Sequence, residues 1–176
     1  MAGYRAFIDS DMENGKYLIS YYHYPNRWHE NLLPIGDNIS DQLNWSPEIK
    51  FLNITNDDLS DDIKSISTDH GGIYIFYLKG INLPFVENYI LYIGRCLCSD
   101  NQNLRKRARE YFKPERILIQ NMFSRWKSYI YYRYYPETDN DRIKALETLL
   151  IRSIAPPLNE VIPNRLEVQP TVSAFN

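Results

Sequence analysis

Gly71-Gly72-Ile73-Tyr74-Ile75-Phe76-Tyr77-Leu78, followed after ten residues by Tyr89-Ile90-Leu91-Tyr92-Ile93-Gly94, decides the fold. Both runs are β-branched and aromatic, and both are short enough to be strands. Lys79-Gly80 ends the first, and Pro84 lies in the connection to the second. The pair is expected to form an antiparallel hairpin. Downstream, Asn103 reads as the N-cap region of a helix over Leu104 to Phe112. Pro114 restarts a helical stretch that runs through Met122. Ser128 to Tyr135 reads as a third strand. Asp139 or Asn140 opens a long helix through Ile154, which Pro156-Pro157 ends. The order β-β-α-α-β-α predicts an α+β domain, a small central antiparallel sheet flanked by helices.

Upstream, Lys16 to Tyr24 reads as a strand and Pro25 to Pro47 mostly as loop. Asn53 to Asp69 is dense in Asp, Asn and Ser, with a short helical pattern at Leu59, Ile63 and Ile66. A boundary near residue 68 divides the chain into an N-terminal extension (1–68), a domain (69–162) and a C-terminal tail (163–176). The length of 176 residues suits one domain with a core, and 44% apolar with 24% charged residues is ordinary for a globular chain. No apolar run approaches the length of a membrane span, so no membrane partner is expected. The opening Met1-Ala2-Gly3-Tyr4-Arg5 lacks a signal-peptide core. The two cysteines, Cys96 and Cys98, are one residue apart and cannot staple a fold. The expected compartment is the reducing cytoplasm.

The net charge of −2 and pI of about 5.9 speak, as bulk figures, against a nucleic-acid partner. They conceal a division. Residues 1–70 carry 5 Lys and Arg against 12 Asp and Glu, a balance of −7; residues 71–176 carry 15 against 10, a balance of +5. Between Arg95 and Arg133 ten basic residues face three acidic ones. Tyrosine is in surplus, with 15 Tyr against 7 Phe and 3 Trp.

Two charged residues fall where helical geometry wants apolar ones. In the last helix Ile143, Leu146, Leu150 and Ile154 form the core stripe, and Glu147 lies within it. A carboxylate there needs a cation, a metal or a pocket mouth, because an unpaired buried charge is costly. In the first helix Leu104, Ala108 and Tyr111 point inward, Arg105, Lys106 and Arg109 point away, and Arg107 lies at the edge of the stripe. A plain Arg107–Glu147 ion pair is one reading. The other puts an arginine, a carboxylate and tyrosines around one anionic substrate, which suits phosphodiester hydrolysis: the guanidinium fork binds phosphate oxygens, and the carboxylate holds a divalent cation.

Gly72-Ile73-Tyr74 and Tyr92-Ile93-Gly94 together resemble the signature of the GIY-YIG nucleases. Leu104-Arg105-Lys106-Arg107 resembles that family's helix with its arginine, Leu146-Glu147 its metal-binding glutamate, and Pro157-Leu158-Asn159 its closing proline-x-asparagine. Asn159 comes twelve residues after Glu147. The resemblance spans roughly residues 70 to 162. It departs in a 17-residue connection between the tripeptides, longer than in minimal members, and in Tyr111, where some members have histidine.

The resemblance implies one-metal phosphodiester hydrolysis. Glu147 would hold Mg²⁺, with Mn²⁺ as a substitute, in a shell completed by water and phosphate oxygens. Arg107 would bind the scissile phosphate and stabilise the transition state. Tyr74 or Tyr92 would take the proton from the attacking water; Tyr74, which does so in restriction-type members, is the favoured one of the two. A free tyrosine has a pKa near 10 and needs cationic neighbours, of which Arg107, the metal, Lys79 and Arg95 are available. Asn159 would orient the site. Arg95, Arg105, Lys106, Arg109, Arg125 and Lys127 are candidate DNA contacts, with Arg133 a further one. Cys96-x-Cys98 lacks a second pair for zinc. His70 precedes the first strand, and His23 and His29 are scattered. Trp126 and the tyrosines at 129, 131, 132, 134 and 135 are candidates for base stacking or for the core.

The implied function is a restriction or host-defence endonuclease on double-stranded DNA, acting as a homodimer where both strands are cut. A repair nuclease on branched or nicked DNA and a non-catalytic binding module are the alternatives. The acidic extension is expected to restrain DNA access, to bind a partner protein, or to complete the core.

Overall fold

A computed structural model of the chain describes residues 44–80 and 88–162. The strand over 16–24, most of the loop after Pro25, Pro84, His23, His29 and the tail 163–176 lie outside the described residues. The elements are β1 (Ile49–Lys50), α1 (Asp61–Ser65), β2 (Gly71–Leu78), β3 (Tyr89–Cys96), α2 (Leu104–Glu110), α3 (Ile117–Trp126), a 3-10 turn (Lys127–Tyr129), β4 (Ile130–Glu137) and α4 (Asn140–Ile154). The expected order over 69–162 is the observed one, and the fold is α+β.

All strand pairs are antiparallel, in the order β1-β4-β2-β3. Tyr74 lies opposite Gly94 on β3 and Tyr134 on β4, and a bulge falls between Phe76 and Tyr77. β4 begins two residues later than expected because Lys127–Tyr129 prolong α3 as a tighter turn. α2 starts where Asn103 accepts from Lys106 N at 2.9 Å. Asp139 caps α4 by accepting from Asp141 N at 2.9 Å and Arg142 N at 3.2 Å. That helix ends in left-handed Ala155, with φ 49°, before the two prolines.

Strand alternation divides the core into two clusters, one on each face of the sheet. On one face Tyr74, Phe76, Tyr92 and Tyr132 pack with Leu104, Ala108 and Tyr111 and with Ile119 and Met122 of α3. On the other, Ile73, Ile93 and Tyr135 pack with Ile143, Leu146, Leu150 and Ile151 of α4. The tyrosine surplus builds this core: Tyr74, Tyr77, Tyr92, Tyr111, Tyr132 and Tyr135 are buried. Phe76 is the hub, its ring 5.0 Å from Phe51 and Tyr111 and 5.2 Å from Tyr132. Such ring pairs are worth roughly 0.5–1.5 kcal/mol each beyond their buried area.

The acidic segment contributes to the same core. Phe51, Leu52, Leu59, Ile63 and Ile66 join the tyrosine-rich cluster. Ser46 is bound to β4 twice: its N donates to Tyr134 O at 2.8 Å, and its Oγ accepts from Tyr134 N at 3.0 Å. β1 adds two residues of ladder to this edge. At the opposite edge, Leu158 N donates to Leu91 O at 3.1 Å, so the chain after α4 covers part of β3. Among the described residues, no helix is long and apolar enough to cross a membrane.

Candidate active site

The two tyrosines of the paired tripeptides and the arginine of α2 meet through their side chains. Arg107 Nε donates to the Tyr74 hydroxyl at 3.1 Å. Tyr74 and Tyr111 hydroxyls are 2.8 Å apart, and Tyr111 donates to the Tyr92 hydroxyl at 3.4 Å. Arg107 Nη2 also reaches Tyr111 Oη at 3.5 Å. The chain of hydroxyls ends at Arg116, whose Nη1 donates to Tyr92 Oη at 3.2 Å. Three phenols are thus strung between two guanidinium groups.

The strands fix this arrangement. Tyr74 points from β2 across its partner strand, and its ring lies over Gly94. A methyl group at Gly94 would fall 2.4 Å from Tyr74 Oη and 2.5 Å from its Cζ. The glycine that closes the second tripeptide is therefore the floor on which the tyrosine of the first rests. Gly72 is required by a different constraint: its φ of +142° and a Cβ position 2.1 Å from Tyr135 O leave no room for a side chain.

Burial holds the Tyr74 hydroxyl protonated, far above the usual phenol range, and the neighbouring Tyr92 adds to this; Arg107 only partly opposes it. Burial raises Tyr111 in the same way. Arg107 keeps its charge: burial works against it, and the Tyr74 and Tyr111 hydroxyls outweigh burial. Its Nη1 also pairs with Glu110 at 2.6 Å.

Glu147 sits on the α4 side, with its side chain 18% exposed. Its partner is Arg95, whose Nη1 donates to Oε2 at 2.5 Å. The simple Arg107–Glu147 pair is not formed; each has a closer partner. Burial raises the Glu147 carboxyl above its ordinary value, against the opposing charges of Arg95 and Arg107. The charge of Arg107, from the other helix, thus reaches Glu147. Among the described residues no cluster of three or more His, Cys, Asp or Glu is present that could hold a metal ion. A single carboxylate at a rim, with hard oxygen donors, fits a Mg²⁺ or Mn²⁺ ion that keeps most of its water; it does not fit zinc.

Asn159 holds the backbone of the second tripeptide. Its Oδ1 accepts from Ile93 N at 2.9 Å and its Nδ2 donates to Ile93 O at 2.7 Å, so its amide imitates a neighbouring strand. Asn159→Ala is expected to lower stability by about 2–3 kcal/mol, since both groups of Ile93 lose their partner. Asn159→Asp keeps the acceptor for Ile93 N but sets a second oxygen against Ile93 O, so it is expected to lose at least as much. Chemical denaturation of the two variants checks this; equal stability to wild type would show the clamp to be idle.

The other basic candidates separate. Arg105 Nε donates to Ile66 O and ties α2 to the segment after α1. Lys106 Nζ donates to Asn101 O at 2.6 Å. Arg109 is exposed and lines a cleft with Arg107. Arg125 and Lys127 stand at the far end of α3 from Arg116, roughly 14 Å along the axis at 1.5 Å per residue. Arg133 Nε donates to Ser46 O at 2.8 Å. Lys79 pairs with Glu48, and His70 offers its backbone carbonyl to Leu104 N at 3.1 Å. Both cysteines are unpaired; burial pushes the Cys96 thiol up to about 11, which makes it inert. Arg116 is absent from the candidates that the sequence supplies, and Tyr111 stands there only as a departure. No local pattern marks Arg116, because its contact with Tyr92 spans 24 residues.

No family model matches the chain, and no curated protein matches it. Two crystal structures of the GIY-YIG N-terminal endonuclease domain of UvrC from Thermotoga maritima are similar to it, each a point mutant bound to its catalytic divalent cation. Each is 17% identical, with a TM-score of 0.41, and the match covers 57% of this chain and 98% of that one.

Proposed function

We propose that this protein is a divalent-metal-dependent endonuclease of the GIY-YIG type that hydrolyses phosphodiester bonds in DNA. One observation carries the reading: Arg107 from α2 donates to Tyr74 of the first tripeptide, and the same hydroxyl chain contains Tyr92 of the second. Three residues far apart in sequence, which the resemblance assigns to one site, converge there.

Arg107 offers a protonated, forked donor to a phosphate and costs little reorganisation, because the Tyr74 and Tyr111 hydroxyls already hold it. Glu147 would hold Mg²⁺ or Mn²⁺, which when bound supplies Lewis-acid stabilisation of the leaving oxygen. Arg95 must then give up its hydrogen bond to the Glu147 carboxylate. Asn159 keeps Tyr92 and Gly94 in register. Between the two tyrosines, we assign Tyr92 to take the proton from the attacking water. Tyr74 is fully buried and held protonated, so its part is to orient Arg107. Tyr92→Phe is expected to lower kcat about a hundredfold, and Tyr74→Phe to lower it less, with a larger loss of stability. Single-turnover cleavage of the two variants checks this. A larger loss in Tyr74→Phe would return the proton to Tyr74, and equal losses would remove the distinction between them.

The substrate is proposed to be double-stranded DNA, as for a restriction or host-defence enzyme. Incubation with Mg²⁺ and plasmid, single-stranded or branched DNA tests this. Discrete plasmid fragments support it. Cleavage confined to junctions would point to repair, and no cleavage in any arm would overturn the nuclease reading.

A further inference from the structure

On the outer side of the hydroxyl chain lies a cleft of about 450 Å³ between α2 and α3. Arg107, Arg109, Lys113 and Arg116 line it, against Glu110 and Glu115. Arg107 and Arg116 are alike in their settings. Each donates to a phenol of the same chain, and each guanidinium lies over a tyrosine ring, Arg107 over Tyr111 at 5.2 Å and Arg116 over Tyr92 at 5.6 Å. Each also holds an exposed carboxylate: Arg107 Nη1 is 2.6 Å from Glu110, and Arg116 Nη2 is 3.0 Å from Glu160. Such exposed pairs contribute little, so another anion displaces them easily.

We infer that Arg116 is a phosphate-binding residue, and that the α2–α3 cleft takes a backbone phosphate next to the one held by Arg107. The inference rests on the nuclease reading and extends it. Hydrogen bonds of 3.5, 3.4 and 3.2 Å link the two guanidinium groups through Tyr111 and Tyr92, so one strand can touch both. The ring and hydroxyl of Tyr92 fix the orientation of Arg116 before a ligand arrives, which reduces the ordering cost of binding. Glu160 occupies the site in the free protein. A phosphate offers the guanidinium the same geometry with more charge. Arg109 and Lys113 on the walls add an attractive field.

The test is equilibrium binding of a fluorescent double-stranded oligonucleotide to the full-length protein in EDTA, across a salt series. One lost phosphate contact lowers the slope of log K against log salt by about 0.9 and weakens binding about eightfold at 0.1 M salt. That is the result expected for Arg116→Gln. Arg116→Lys is expected to restore the slope, since the charge returns. Glu160→Gln is expected to tighten binding about twofold or more, because the internal competitor is gone. A purely structural Arg116 would leave the slope unchanged. Wild-type binding with an unchanged slope in Arg116→Gln, or no tightening in Glu160→Gln, overturns this inference and leaves the nuclease reading intact. A wild-type protein with no salt-dependent binding overturns both.

Discussion

Glu147→Gln is expected to reduce DNA cleavage by about a thousandfold or more, a loss of at least about 4 kcal/mol of transition-state stabilisation. The variant should stay folded and melt no lower than the wild type. The second expectation follows from the sign of the carboxyl shift. Burial raises Glu147 above its ordinary value in the folded protein. A carboxyl whose folded pKa lies above its unfolded one favours folding in its protonated form. That contribution is lost as pH rises through the folded pKa, so at neutral pH the ionised Glu147 works against stability. A neutral amide of the same shape removes that cost. Arg95 is left without its partner, but its side chain is 41% exposed and water can serve it. Circular dichroism melts and a plasmid-nicking assay on one preparation measure both effects. Metal-dependent cleavage at the wild-type rate would end the assignment of Glu147; inactivity with a collapsed melting temperature would make the residue structural.

Gly94→Ala should be a damaging small change, because it strikes a side chain of the site itself. The added methyl group would press on the hydroxyl end of Tyr74, at 2.4 Å from its oxygen. Tyr74 cannot swing aside. Its oxygen is held by Arg107 and Tyr111, and its ring is stacked on Tyr132 at 5.8 Å and set edge-on to Phe76. Overpacking of this kind costs about 1–3 kcal/mol, and a rigid aromatic neighbour puts the value at the upper end. Activity should fall further than stability, because displacing Tyr74 also moves Arg107. The mechanism has a signature. In a Tyr74→Ala background the three atoms nearest to the added methyl are gone, so the two changes should be clearly non-additive. Denaturant midpoints of the two single variants and the double variant test this. Additive costs would mean that Gly94 matters for some other reason.

Much of this structure is legible in the sequence. The hairpin follows from its two β-branched and aromatic runs, and α2 and α4 follow from their apolar stripes, from the N-caps at Asn103 and Asp139 and from the stop at Pro156-Pro157. Glu147 and Arg107 betray themselves by breaking the apolar stripes. The partner of Glu147 was also within reach: alternation in β3 sets Arg95 on the same face as Ile93, which is the face that α4 covers. β1 is a different case. Two residues carry no periodicity, and the bonds of Ser46 to Tyr134 across 88 residues place them there. Arg116 belongs with β1, because a residue ahead of a helix gives no sign of the ring on which its side chain will lie. The burial of Tyr74 could be read from its strand, but its protonation follows from the tertiary wrapping of Phe76, Tyr111 and Tyr132 around it.

The sheet also acts as a fault line. Glu147 and Arg95 are anchored in the α4 layer; Arg107, Arg116 and the phenols belong to the opposite layer, which residues 49–66 help to seal. Local openings tend to follow such layers, so amide exchange in α2 and α4 need not occur at one rate. Loosening of the N-terminal layer would disperse the arginines while the carboxylate stayed in place. Shortening the chain to residue 67 should therefore remove phosphate binding before it removes cation binding, and the activity would be lost without loss of any residue of the site.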